Sequence, residues 1–582
     1  MTIAFQGIGV AASRPVAIGP AFLTGHGLRT ASQTPISDDQ VGAELDRLNQ
    51  AVAAARRALK SVREQIPRST PINIAEFIDT HLLMLEDVAL VDEVRKIIRD
   101  QLYNAEWALQ VQRDILVRVF EEMDDPYLRT RREDVEHVVH QIQTFLQGAT
   151  PQFAAPTLDL DGAVVVARDL MPADAIVLRH RGAAAFVTEY GGPMSHTAIL
   201  ARSLGVPAVV GVHNITRYLR QGEILVVDGE TGSVLAGADQ STLAYFEERR
   251  AAVEVRRTRL RGLLDRPAVT RDGVPVRLLA NLELPEDAET AKANGAVGVG
   301  LYRTEFLYMN RDDLPDEEEH LATYADIMNG VGGMPVTIRT LDLGVDKRLE
   351  TAGDPFPRVC NPALGLRAIR LCLKEPGLFR PQLRAILRAS ALGPVRLMLP
   401  MVTNAQEVDA VQDIIAQLKV ELDREGLTYD PELPVGAMVE VPAAALAARS
   451  LARRMDFLSI GTNDLVQYTL AIDRLDDSVN YLFDPTHPAI LRLVRMTIEA
   501  GRALDTPVAM CGEMAGDPRF TRLLLGIGLR EFSMQPGALL DIKEIVLESD
   551  TRELQWHTAR LFARLDDVEP GRLLDGLNQI ST

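Results

Sequence analysis

Residues 434–465 read PVGAMVEVPAAALAARSLARRMDFLSIGTNDL, and they set the architecture of the second half of the chain. Two apolar segments, 434–442 and 456–465, flank a helical stretch. Each carries polar residues towards its end, Glu440 in the first and Asn463 with Asp464 in the second. A buried strand, a helix and another buried strand in succession form the repeating unit of a parallel α/β sheet. Similar apolar segments stand at 276–282, 297–306, 336–344, 395–402, 507–513 and 531–534, most of them separated by helical stretches. Eight strands alternating with helices over about 300 residues predict a (β/α)8 barrel. Polar side chains recur at the ends of other segments too: Arg303 and Glu305, Arg339 and Asp342, Cys511 and Glu513. The C-terminal rim of a barrel is where such groups converge on a ligand.

Before the barrel the patterning changes twice. Residues 1 to about 25 read as short strands with glycine turns. Ser37 followed by Gln40 is a capping box, and Val41, Leu45, Leu48, Val52, Ala55, Leu59, Val62 and Ile66 then recur three or four apart. Helical character continues through 74–100, 104–120 and 127–146. From about 156 short β segments return: GAVVVA, AIVL, AAFVTE, PAVVG, EILVVDG and GSVLAG, framing a single helix at 195–204. The opening strands match this later block, so the helical part reads as an insertion. The expected division is 1–29 with 147–236 as one β/α domain, 30–146 as an inserted all-helical domain, 237–264 as a linker helix and 265–582 as the barrel.

A chain of 582 residues is too long for one core. The net charge of −19, from 62 Lys and Arg against 81 Asp and Glu, argues against nucleic acid or an anionic membrane as a standing partner. It leaves room for a small basic protein. Three scattered cysteines, Cys360, Cys372 and Cys511, build neither a disulfide framework nor a zinc site. No export signal and no uninterrupted apolar run of membrane-spanning length is apparent, so the cytoplasm is the expected compartment.

Residues 188–211, TEYGGPMSHTAILARSLGVPAVVG, carry the first chemical signal. Gly191 and Gly192 allow a tight turn before a helix whose first turn contains His196. Free backbone N–H groups and the helix dipole there favour a neutral imidazole, and later a negative phosphoryl group. Ser195 and Thr197 supply further hydroxyls. The barrel ends carry the second signal. Arg303, Arg339 and Arg474 are suited to phosphate or carboxylate, and Glu440 and Asp464 to Mg²⁺ or Mn²⁺ and not zinc. Cys511 is placed to act as an acid towards a carbanion or enolate. Glu305, Asp342, Lys347 and Glu513 are charged neighbours. His81, His137, His140 and His320 lie in helical, polar contexts without assigned chemistry, although His81 and Arg131 are candidates for a docking face.

The stretches GGPMSHTAILARS, GVGLYRTEFLYM, RTLDLGVDK, NPALGLRAIR, QLRAILRAS, MVEVPAAA, DFLSIGTNDLVQYTLAIDR and CGEMAGD closely resemble the enzyme I family of the bacterial phosphoenolpyruvate-dependent sugar phosphotransferase system. The resemblance covers essentially the whole chain, in family order. It implies a swivelling phosphohistidine domain with a helical insert that binds the carrier protein HPr, followed by a phosphoenolpyruvate- and Mg²⁺-binding barrel that dimerises. It further implies phosphoryl transfer to Nε2 of His196 and onward to a histidine of HPr, releasing pyruvate in the first step of sugar uptake. The implied metal ligands are Glu440 and Asp464, and the implied substrate contacts Arg303, Arg339, Lys347, Asn463, Asp464 and Arg474. Cys511 is the implied proton donor. Asp169–Ala175 departs from the family's DLTPSET, and Pro193 and Met194 replace polar residues. Pyruvate phosphate dikinase and phosphoenolpyruvate synthase share the histidine segment and the barrel. They need a large ATP-binding domain ahead of the histidine, where this chain has about 190 mostly helical residues. A silent carrier-binding scaffold is opposed by the complete residue set from His196 to Cys511.

Overall fold

The eight apolar segments of the second half all become strands, and they close on themselves. The structure is a computed structural model. It describes the chain except residues 1, 11–14, 25–31, 66–71, 86, 122–125, 148–159, 171, 193–194, 309–312, 344–361, 474–478 and 581–582, and of His196 and Arg131 it describes the backbone alone. The chain divides into two compact units, Met1–Arg256 and Arg257–Thr582.

In the first unit the strands are β1 (Ile3–Gln6), β2 (Ile8–Val10), β3 (Val16–Leu23), β4 (Val164–Ala167), β5 (Ala185–Thr188), β6 (Ala208–Val210), β7 (Ile224–Asp228) and β8 (Ser233–Ala236). They form one sheet in the order β1-β8-β7-β3-β4-β5-β6-β2. The run β3 to β6 is parallel and the outer pairs are antiparallel. Alternation along β4 gives the sheet two apolar faces. Val165 and Ala167 join a core with Phe186 and the helices, whereas Val164 and Val166 pack with Val187 on the other side.

The helical insertion lies between β3 and β4. Gln40 accepts the Ser37 N–H at 3.0 Å, completing the expected capping box. Leu48, Ala55 and Leu59 on the following helix, Val41–Gln65, are buried as the spacing requires. The helix expected over 74–100 is instead two, Ile72–Met84 and Glu93–Gln101, parted by a wide turn at Val88–Asp92. Asp92 and Glu93 put negative charge where a new helix begins. Helices Ala105–Glu121 and Pro126–Leu146 complete the insertion.

A second difference concerns AIVL, which lies in the helix Pro172–His180 and not in a strand. A four-residue apolar run has no period of its own. Pro172 at the first position, Asp174 in the first turn and Arg179 with His180 in the last decide for helix. The β block therefore frames two helices, this one and His196–Ser203.

The second unit is a closed parallel barrel of β9 (Arg277–Leu282), β10 (Val299–Tyr302), β11 (Val336–Arg339), β12 (Val395–Leu399), β13 (Val435–Val439), β14 (Phe457–Ile460), β15 (Val508–Met510) and β16 (Glu531–Met534). β16 pairs with β9 to close it. Gly436 sits where β13 crosses Phe457, and a Cβ there would lie 2.5 Å from the ring. No helix among the described residues is long and apolar enough to cross a membrane.

Candidate active site

The histidine segment is held by its backbone before any chemistry. Thr188, ending β5, donates its hydroxyl to the Tyr190 carbonyl at 2.7 Å. Gly191 follows with φ +110°, a conformation closed to other residues without strain. Ser195 is the N-cap, accepting the Ala198 N–H at 3.4 Å, and His196 opens the helix. Thr197 is buried and donates to the Leu170 carbonyl at 3.2 Å. Its hydroxyl therefore anchors the helix to the 169–170 segment.

At the barrel rim the charges are paired with one another. Arg339, the last residue of β11, is buried and bonds Glu305 and Asp342, each at 3.0 Å. Burial opposes its charge, but those carboxylates more than offset this and keep the guanidinium ionised. Asp342 also meets Arg367 at 2.8 Å. Burial would raise its carboxyl, yet Arg339 and Arg367 hold it below its ordinary range. The Nε of Arg339 is buried without a hydrogen-bond partner, so one donor remains to be satisfied. Arg303 is partly exposed and ion-paired with Glu283.

Glu440, just past β13, is 1 % exposed and accepts the Met401 N–H at 2.6 Å. Burial first, then the charges of Asp464 and Asp342, raise its carboxyl well above the ordinary value. Crowded carboxylates of this kind favour a cation among them. Asn463, in the helix Thr462–Leu470, exchanges two hydrogen bonds of 3.0 Å with Glu513. Cys511 packs with Leu301, Met398, Met438 and Phe457. Burial pushes its thiol up to about 11, with the Ser459 hydroxyl acting in the opposite sense. A cavity of about 790 Å³ is lined by Arg303, Asn463, Cys511, Glu513 and Asn281 among others.

Several residues were not singled out from sequence. Asn281, near the end of β9, donates to the Cys511 carbonyl at 2.9 Å and accepts from Ser533 at 2.6 Å. Its signal was available, a polar residue near the end of an apolar segment. Ser459 looks like a small strand residue, and Arg367 lies within a quoted stretch, NPALGLRAIR, without a role. Lys347 and Arg474 lie outside the described residues.

His81 is a correction. It is buried at 4 % exposure, its Nε2 3.2 Å from Asp134 Oδ1, and does not stand on a docking face. His137 is buried too, at a ring distance of 6.1 Å from His81. Among the described residues, His81, Asp134 and His137 form a group able to hold a metal ion, with ligand atoms within 4.8 Å of one another.

Three family descriptions match the chain in order: PEP-utilising enzyme, N-terminal, over 8–131; mobile domain, over 159–232; and PEP-binding domain, over 257–551. The phosphoenolpyruvate-protein phosphotransferase of Cupriavidus necator is 48% identical over 582 residues, 99% of each chain. That of Geobacillus stearothermophilus is 40% identical over 548 residues, 94% of each. A solved structure, described as an NMR solution structure of Enzyme I (nEIt), is 29% identical with a TM-score of 0.38, covering 43% of this chain and 99% of that one. Identity of this extent, across the histidine segment, the helical insertion and the barrel alike, places the chain in the family of bacterial phosphoenolpyruvate-protein phosphotransferases, the enzyme I proteins of the phosphotransferase system.

Proposed function

We propose that this phosphoenolpyruvate-protein phosphotransferase uses His196 as its phosphoryl acceptor and passes the group to a histidine of HPr. Nε2 of His196 attacks the phosphorus of phosphoenolpyruvate, and the bond from phosphorus to the enol oxygen breaks. The electron pair stays with the enolate, whose methylene carbon takes the Cys511 proton to give pyruvate. The thiolate left behind regains a proton from water. The buried Cys511 thiol on the wall of the cavity that Arg303 and Asn463 line is the observation that carries this reading. A thiol whose pKa is pushed up to about 11 is protonated at neutral pH, as a proton donor must be.

Arg303, Arg339, Lys347, Asn463 and Arg474 hold the phosphate and carboxylate, and the unsatisfied Arg339 Nε is a donor available for this. The Glu440 and Asp464 carboxylates are hard oxygen donors and fit Mg²⁺, with Mn²⁺ as a substitute. When bound, the ion neutralises charge on the transferred and departing oxygens. Glu305, Asp342 and Glu513 hold the arginines and Asn463 in place.

The division of labour follows the expected domains. Residues 1–29 and 147–236 carry the phosphohistidine, 30–146 receive HPr, 237–264 link, and 265–582 bind phosphoenolpyruvate and form a homodimer. Exposed Ile115 and Val119, one turn apart on the helix Ala105–Glu121, support a docking face on the helical insertion, with Arg131 as a candidate contact. His196 and the barrel site belong to separate compact units, and in this reading the histidine-bearing domain moves as a body between phosphoenolpyruvate and HPr.

The test is incubation with radiolabelled phosphoenolpyruvate and Mg²⁺, followed by HPr. Wild type takes up acid-labile, base-stable label and discharges it to the carrier, and His196→Ala takes up none. Label on the alanine variant would move the acceptor elsewhere. Absence of label on wild type would overturn the barrel assignment.

A further inference from the structure

We propose that His81, Asp134 and His137 form a site for a transition-metal ion of the zinc class, distinct from the Mg²⁺ ligands proposed in the barrel, joining the helical insertion to the segment that props the His196 helix. His81 comes from the helix Ile72–Met84. Asp134 and His137, three residues apart, share one face of Pro126–Leu146. Their exposures are 4 %, 1 % and 8 %, so the donors are largely withdrawn from bulk water.

The spacing fits a small ion. Bonds of about 2.0–2.1 Å at a tetrahedral centre put neighbouring donor atoms about 3.3 Å apart. His81 Nε2 and Asp134 Oδ1 stand 3.2 Å apart, and a ring nitrogen of His137 completes a set whose members lie within 4.8 Å. Two imidazoles and one carboxylate, with a fourth position left to water, are a donor set that selects Zn²⁺, Co²⁺ or Ni²⁺ over Mg²⁺.

A second observation concerns the far side of His137. Its Nε2 lies 3.2 Å from Asp169 Oδ2. A metal-binding histidine commonly donates its other ring N–H to a carboxylate, which fixes its tautomer. In the proposed site His137 binds through Nδ1 and Asp169 takes that role. Asp169 also accepts the Leu170 N–H at 2.8 Å, and the Leu170 carbonyl receives the Thr197 hydroxyl at 3.2 Å. The ion would thus fix, through Asp169 and Leu170, the residue next to His196. The alternative is a metal-free hydrogen-bonded cluster that merely ties two helices together.

The test uses the full chain, stripped with a chelator and titrated with Co²⁺ in excess Mg²⁺, which keeps the barrel's oxygen ligands occupied. Wild type is expected to gain the visible d–d bands of a four- or five-coordinate nitrogen- and oxygen-ligated cobalt ion. His81→Gln and His137→Gln each bind one ion fewer per chain. Asp169→Asn keeps the stoichiometry but weakens binding about 10–100-fold. Wild type that takes up no Co²⁺ with these bands overturns the proposal whatever the variants do. So does an unchanged stoichiometry and spectrum in His81→Gln and His137→Gln. Should one glutamine variant fail to fold by circular dichroism, the other and Asp169→Asn decide.

Discussion

The Ser459 hydroxyl donates to the Cys511 sulfur across 3.3 Å inside the barrel, with both residues buried. The hydroxyl thus stabilises the thiolate that burial disfavours. In the proposed reaction Ser459 is a positioning residue, acting on the acidity and direction of the thiol. Replacing it with alanine removes a hydrogen bond that pulls the thiol's pKa down, so the pKa rises beyond about 11. The expected result is a several-fold fall in kcat with little change in KM for phosphoenolpyruvate. The alkylation profile of the thiol should move to higher pH. An unmoved profile would show that the hydroxyl does not act on the sulfur.

Cys511→Ala separates the two half-reactions. Loss of a positioned proton donor costs about 10²–10⁴ in rate. Phosphorylation by phosphoenolpyruvate should slow by that order. Transfer from already phosphorylated protein to HPr should keep its wild-type rate, and rapid-quench kinetics on each half checks this.

Arg339→Met leaves Glu305 and Asp342 without their shared cation in a buried place. Removing one partner of such a cluster costs about 3–5 kcal/mol. Denaturant unfolding should show the loss, whereas the exposed pair Arg492–Asp566 should cost less than about 1 kcal/mol when broken.

Asp272 accepts from Thr270 at 2.7 Å and from the Thr551 hydroxyl and N–H at 2.6 and 3.0 Å. Burial would raise its carboxyl, but these hydrogen bonds hold it well below the ordinary carboxylate range. A depressed folded value means the unfolded chain binds the proton first. The stabilisation is therefore complete above the unfolded pKa of about 3.9 and is lost as pH falls through the lower folded value. Asp272→Asn should be less stable than wild type at pH 7, and the gap should shrink in acid. A gap independent of pH would refute the linkage.

Ala471 ends the helix Thr462–Leu470 at φ 54°, in the left-handed region. Glycine adopts that conformation without the Cβ penalty of about 1–2 kcal/mol. Ala471→Gly should raise the melting temperature, read by calorimetry, without moving Asn463 or Asp464.

The barrel was legible because strands covered on both faces read as continuous apolar runs, and its rim because a polar residue ending such a run is conspicuous. AIVL failed for the same reason that the barrel strands succeeded: an apolar run declares burial, and only its flanks declare the period. Arg303, Arg339, Glu440, Asn463 and Cys511 were found at strand ends, and the structure adds the pairing of Arg303 with Glu283, of Arg339 with Glu305 and Asp342, and of Asn463 with Glu513. Ser459 stayed hidden because its role exists only through a neighbour 52 residues away. His81 was misplaced because a polar side chain was read as exposed, whereas its helix packs it inward against Asp134.

β3 and β4 pair in parallel, Ala21 beside Val164, although the helical insertion separates them in sequence. Parallel neighbours cannot be joined by a tight hairpin and need a crossover of a dozen or more residues. The insertion is that crossover, so the carrier docking proposed for it would use a connection that the sheet required in any case. Its two ends leave from adjacent strands, which makes it a natural cassette. If the insertion receives the carrier as proposed, a helical unit of different surface spliced at the same two points would redirect the enzyme to another carrier while leaving the sheet intact.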